Sequence, residues 1–280
     1  MDTRGHVRLA EWTALSGSGV EAVVTTRYGG VSGGPYRSLN LSFHVGDDPA
    51  AVVENRRRAA AAAGGRLEDL VVATQVHGHT VAVAGKGDRG RAAEMDGTVG
   101  EADALVTAEP GLLLVVLVAD CVPIVLFDPV ARVLACVHAG WRGTCLKVVQ
   151  AALDAMEGLG ARRASTLAGI GPAIGGDAYE VGSDVAEAVR SSLGSTLLGT
   201  SRGELAGRAA PQLADVLRPT AAGRWTLDLQ RANRHLLVEA GVDAGRVHTM
   251  PLATGGTGPF YSHRARHPCG RFGLLARMTP

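Results

Sequence analysis

Three short segments gather the reactive side chains of this 280-residue sequence: Gln75-Val76-His77-Gly78-His79, Ala119-Asp120-Cys121-Val122-Pro123 and His138-Ala139-Gly140-Trp141-Arg142-Gly143-Thr144. Each follows an apolar run. Each is therefore expected to leave the end of a strand, where loops of α/β folds build their sites. His77, Cys121 and His138 together would supply a thiolate and two imidazoles. Three protein ligands with a fourth position open is the arrangement of a catalytic zinc site, and the donor set suits zinc or copper by its softness. Spacing alone leaves this open, because no short-range pattern such as CxxC or HExxH is present. A metal-free reading makes Cys121 a nucleophile with His138 as its base. A blander one makes it a small buried hydrophobe.

The third segment has a second use. A glycine-flanked turn feeding a helix offers free backbone N–H groups to an anion, with Arg142 beside them and Thr144 as a candidate cap. Cys136 shares side-chain parity with His138 on its strand, yet core packing is the favoured reading for it. The strand-end loop Arg27–Ser32 and the rigid turn Gly169–Gly175 match neither GxGxxG before a helix nor a Walker loop, so nucleotide readings built on them are rejected.

The elements that must position these residues alternate between strand and helix. Short, β-branched apolar runs predict strands at Val20–Thr26, Leu70–Val76, Ala104–Thr107, Leu112–Val118, Pro123–Phe127, Arg132–His138, Ala164–Ile170 and Arg271–Met278. Asp48-Pro49 opens a helix that Gly64-Gly65 stops. Further helices are expected at Thr144–Glu157, with Leu146, Val149, Ala152, Leu153 and Met156 on one face, and at Ser183–Leu193 and Asp228–Ala240. Lys86–Gly100 reads as an exposed loop. Gly194–Gly223 reads as a surface excursion within one α/β domain spanning 1–280.

Composition narrows the partners. Twenty-eight Lys+Arg against 27 Asp+Glu leave a net charge of +1, unlike a general nucleic-acid binder. The longest apolar run, Leu112 to Ala119, is far short of a membrane span. The polar first dozen residues carry no signal-peptide pattern, and four cysteines are too few for a disulfide scaffold, so a cytoplasmic enzyme is expected. Few aromatic residues make a large aromatic interface unexpected, and a monomer is the default. Lysine occurs only at 86 and 147, which leaves arginine to hold anions.

Read together, the segments TTRYGGVSGGPYRSLNLSFHVGDDPAAVVENRR, TQVHGHTV, ADALVT, ADCVPIVLFD, HAGWRGT, GIGPAIGGDAYEVG and YSHRARHPCGR resemble the YfiH family, also called the laccase-domain or multicopper polyphenol oxidase family. They run in the family's order over about residues 25–273. The resemblance implies a single-domain four-layer α/β/β/α arrangement with mixed sheets, similar to the catalytic domain of cytotoxic necrotizing factor. It implies zinc, with copper as an alternative, on His77, Cys121 and His138. It also implies phosphorolysis of adenosine, inosine or methylthioadenosine, and deamination of adenosine. Alternatives within the resemblance are amide hydrolysis in peptidoglycan-precursor editing, through Cys121 and His138, and copper-dependent oxidation of phenols. For a purine nucleoside and phosphate, the anion would fall to Arg142, with Arg27, Arg56 and Arg264 behind it. Trp141 is the first candidate for stacking on the base. Asp120 is expected to be either a proton shuttle or a turn carboxylate. One departure stands out: the family's Cys-Thr pair before the C-terminal motif reads Ala253-Thr254 here.

Overall fold

The computed structural model describes residues 1–197 and 213–279. In chain order its elements are β1 (Asp2–Arg4), β2 (Val7–Glu11), β3 (Val20–Thr25), α1 (Pro49–Ala62), β4 (Leu70–Val72), β5 (Val81–Val83), β6 (Ala104–Thr107), β7 (Leu113–Val118), β8 (Val122–Asp128) and β9 (Val133–Ala139). There follow α2 (Trp141–Cys145), α3 (Val148–Gly158), β10 (Leu167–Ile170), β11 (Ala173–Ile174), β12 (Glu180–Val181), α4 (Ser183–Leu197), α5 (Leu213–Val216), β13 (Leu217–Ala221), β14 (Arg224–Leu227), α6 (Leu229–Glu239), β15 (Val247–Thr249), β16 (Ala253–Thr254) and β17 (Phe272–Met278).

Two six-stranded mixed sheets form the centre, in the orders β1-β2-β3-β17-β7-β4 and β15-β10-β8-β9-β6-β5. Side chains on a strand alternate between faces, and here each face has its own partner layer. On β9, Leu134 and Cys136 pack with Leu114 and Val116 of β7 between the sheets, whereas Val133, Ala135 and Val137 pack with Val149, Leu153 and Leu236 of the helices. On β7, Leu113 and Val115 face outward onto Ala59 and Ala60 of α1. The layers therefore run α1, first sheet, second sheet, then α3, α4 and α6. This is the four-layer, single-domain α/β arrangement that the resemblance implied. Cys136 is fully buried between the sheets, so the core-packing reading of it holds.

The helix at 48–63 forms as its sequence suggests: Asp48 accepts from the Ala50 N–H, and Pro49 occupies the first turn. Several boundaries differ for identifiable reasons. β4 ends at Val72 rather than continuing to Val76, because the Gln75 side chain takes over the pairing. Its amide donates to the Leu117 carbonyl and accepts from the Leu117 N–H, both at 2.7 Å. The helix expected over 144–157 is two helices, broken where Lys147 adopts a φ of +59°. Leu146 consequently leaves the apolar face and is half exposed. Thr144 caps nothing: Gly140 is the N-cap, and the Thr144 hydroxyl accepts from Asn233 at 2.9 Å. The polar N-terminus forms two strands with Val7, Leu9 and Ala10 buried. The 86–100 loop holds two short 3₁₀ turns and buries Ala92. Of the 194–223 stretch, the flanks continue α4 and form α5 and β13, while residues 198–212 lie outside the described residues.

Candidate metal centre

Strand register brings the three reactive segments together. β8 and β9 are an antiparallel pair with Val122 opposite Ala139, so Cys121, just before β8, lies beside the end of β9 that carries His138. β6 pairs β9 with Ala104 opposite Val137, and the His138 N–H donates to the Asp103 carbonyl at 2.8 Å. His77 comes from the turn that follows the Gln75 clamp. Its backbone has a φ of +61°, a region that non-glycine residues enter only when held there.

The holding group is Asp103. Its carboxylate accepts the N–H groups of His77 at 2.9 Å, Gly78 at 2.6 Å and Val76 at 3.3 Å, and it meets His138 Nδ1 at 2.8 Å. Sequence reasoning missed this residue as a site member. Its signal was an aspartate placed directly before an apolar strand, in the ADALVT segment.

The ligand atoms of His77, Cys121 and His138 all lie within 4.8 Å of one another. The rings of His77 and His138 meet edge to face, with centroids 4.8 Å apart. His138 is buried, Cys121 partly exposed and His77 exposed, so the group opens to solvent on one side. Ligands around a tetrahedral zinc, at about 2.0–2.3 Å from the ion, sit roughly 3.3–3.8 Å apart. A closure of about 1 Å, within side-chain reach, converts the observed cluster into that geometry. The donor set and spacing fit such an ion, with a position left for another ligand. Gly140 leaves that space: a Cβ there would stand 3.0 Å from Cys121 Sγ and 3.2 Å from His77 Cδ2. His79 is exposed and takes no part in the group.

Electrostatics favour a thiolate. Burial would raise the Cys121 thiol, but the charge of His138 and hydrogen bonds from both imidazoles outweigh it and bring it down to about 6. His138 moves the other way. Burial would lower it, and the Cys121 charge with the Asp103 hydrogen bond raises it to about 9. Burial likewise works against the ionised Asp103, yet His138 and the Gly78 and His77 N–H groups hold it below the usual carboxylate range.

The remaining predicted residues divide. Asp120, at a φ of +91°, is buried beside Cys121, and its oxygens accept from the Thr254 hydroxyl at 2.5 Å and the Arg264 N–H at 2.7 Å. It thereby ties the Cys121 turn to the C-terminal loop. The Arg264 guanidinium lies 5.0 Å from the Tyr179 ring centroid and donates to the Glu180 carbonyl. Arg142 lies exposed over Trp141, which packs on the helical core. Tyr179, not singled out from sequence, belongs with them. Burial, together with the charges of Cys121 and Asp120, pushes its hydroxyl up to about 12, against the pull of Arg264 and Arg142.

Arg27 stacks on Tyr261 at 5.0 Å and lines a cleft of about 280 Å³ with Phe260, Ser262, Arg266 and Cys269. Arg56 lies elsewhere. It is buried on α1, in the outermost layer, donating to the carbonyls of Leu41 and Ala92 and covering Phe43. Burial lowers it to about 10. The geometry gives Arg56 a packing role, and the first sheet separates its layer from the metal centre.

The family model described as multi-copper polyphenol oxidoreductase laccase matches residues 21–279. A solved structure of the hypothetical protein YfiH from Bacillus licheniformis superposes with a TM-score of 0.85 at 31% identity, covering 99% of this chain and 97% of that one. The chain belongs to the YfiH family. Among its YfiH-family relatives, a purine nucleoside phosphorylase of Deinococcus radiodurans is 41% identical over 245 residues, 86% of this chain and 81% of that protein. An adenosine deaminase, RL5, from an unknown prokaryotic organism is 39% identical over 239 residues, 84% of each chain. In this YfiH-family chain Ala253 and Thr254 form β16. Thr254 is the residue whose hydroxyl binds Asp120.

Proposed function

We propose that the chain is a zinc-dependent purine nucleoside enzyme, cleaving adenosine, inosine or methylthioadenosine with phosphate and deaminating adenosine. The observation that carries this is the convergence of His77, Cys121 and His138 within 4.8 Å, open to solvent on one side. The relatives' names supply the substrate class. A bound zinc would provide a Lewis acid and lower the pKa of a coordinated water.

In phosphorolysis the C1′–N9 bond breaks, its electron pair leaves with the purine, and a phosphate oxygen bonds to C1′. Arg142 and Arg264 are assigned to the phosphate, since a guanidinium fork pairs two oxygens. Tyr179 and Trp141 offer ring faces for the base, each already paired with one of these arginines. Asp120 serves as a positioning residue, because one of its oxygens is engaged by the Thr254 hydroxyl of β16 and the other by the Arg264 N–H. Arg27 is assigned to substrate binding through its cleft, which the Ser262–Arg266 segment also lines. A thiolate ligand suits the reducing cytoplasm, which is the proposed location.

One observation favours a second reading. Cys121, His138 and Asp103 form a nucleophile, base and orienting acid, the arrangement of a cysteine hydrolase acting on amides.

The two readings separate in one assay. Metal content is measured on purified protein, which is then incubated with adenosine, with and without phosphate. Adenine, inosine, hypoxanthine and ribose 1-phosphate are followed by chromatography. Phosphate-dependent base release, lost on chelation and in Cys121→Ser, is expected. Absence of turnover, with release of an amino acid from a muramoyl substrate, would replace the first reading by the second. Quinone formation from a phenol only with added copper would favour an oxidase.

A further inference from the structure

The two imidazoles of the candidate metal centre come from separate segments. His77 lies in the connection from β4 of the first sheet to β5 of the second, and His138 stands at the end of β9 in the second. One side chain touches both segments. Asp103, whose side chain is wholly shielded from solvent, accepts from the backbone of the His77 turn and from the His138 ring. We propose that Asp103 is a positioning residue that fixes both histidines for metal binding, an inference that rests on the metal reading of the site.

Its two contacts do different things. A carboxylate only accepts, so the proton of neutral His138 must lie on Nδ1, leaving the Nε2 lone pair free on the opposite side of the ring. Metal-bound histidines are generally oriented this way, through the other ring nitrogen. The N–H groups of Val76, His77 and Gly78 converge on the same carboxylate and hold His77 at its positive φ, a conformation that non-glycine residues keep only when the surroundings hold it. The charge also has a purpose. Asp103 and the Cys121 thiolate together balance a divalent cation, and the buried Asp103 is compensated by four donors when no ion is bound.

Asp103→Asn keeps the volume but turns one acceptor into an NH₂ donor. That donor faces either the His138 Nδ1–H or the backbone N–H groups, so one contact becomes repulsive. The test uses full-length protein and cobalt(II), whose absorption reports coordination geometry. Wild type, Asp103→Asn and Asp103→Ser are titrated with cobalt(II) against a chelator. Asp128→Asn serves as the control, since Asp128 is another buried carboxylate held by backbone N–H groups, at a hairpin turn. Both Asp103 variants are expected to bind about 10–100-fold more weakly, with altered cobalt spectra, whereas the control loses stability but keeps wild-type affinity and spectrum. If Asp103→Asn does not fold, Asp103→Ser, which leaves room for water at the N–H groups, carries the same expectation. Wild-type affinity and spectrum in a folded Asp103 variant would overturn the role of Asp103 alone. Wild-type protein that takes up no metal would overturn the metal reading and this role with it.

Discussion

At Cys121 the competing forces on one thiol are visible side by side. Burial alone would keep it protonated, as it does for Cys136 between the sheets. Two imidazoles reverse the sign at Cys121 and bring it to about 6. The thiol is protonated below that value and ionised above it. In metal-stripped protein, iodoacetamide should therefore label Cys121 with a rate that rises between about pH 5 and 7, well below the ordinary thiol range. Mass-spectrometric mapping across pH checks this, with Cys145 as internal comparison because burial raises its thiol. Cys121 labelling that rises only above about pH 8 would show that the imidazoles do not act on it. Gly140 belongs to the same neighbourhood, since any side chain there competes with the ligands for space.

At the scale of elements, the β8–β9 hairpin does most of the positioning. Its register sets Cys121 beside His138 at one end, and its turn, at the opposite end, is fastened by Asp128. That carboxylate accepts from the N–H groups of Val130 at 2.8 Å and Arg162 at 2.7 Å, and from the Ser165 hydroxyl at 2.9 Å. Burial opposes ionisation of Asp128, yet these donors keep it below the usual carboxylate range. A carboxylate lowered in the folded state contributes stability above its unfolded value, near 3.9, and loses it as pH falls through the folded value. Asp128→Asn should cost about 1–3 kcal/mol in urea denaturation at pH 7, and the difference from wild type should shrink below about pH 4. A difference that persists unchanged into acid would mean the charge is not what stabilises the turn. Other elements place the site by ending early: β4 yields to the Gln75 clamp, and that release frees the chain to form the His77 turn.

For the whole molecule, the candidate metal centre gathers residues from three distant segments, so an ion there would tie the two crossover connections at His77 and Cys121 to β9. A ligand that binds only the folded state stabilises it by mass action, about 2.7 kcal/mol at a free concentration one hundred times its Kd. Zinc should raise the thermal midpoint by several degrees, a chelator should reverse the gain, and Cys121→Ser should abolish it, all readable by scanning calorimetry. An equal gain in Cys121→Ser would place the stabilising ion elsewhere. The sequence by itself determined the strand periods, the capped helix at 48–63, the family and the three ligand types, because hydrophobic alternation, capping residues and motif order are local properties of the chain. Only the tertiary structure decided which distant residues share a site. Asp103 joins it through register and Tyr179 through its place beneath Arg264, relations with residues 35 and 85 positions away that leave no periodic trace. Arg56 looks from sequence like any other anion-binding arginine, and only its layer, behind the first sheet with its donors spent on carbonyls, separates it from the arginines at the centre.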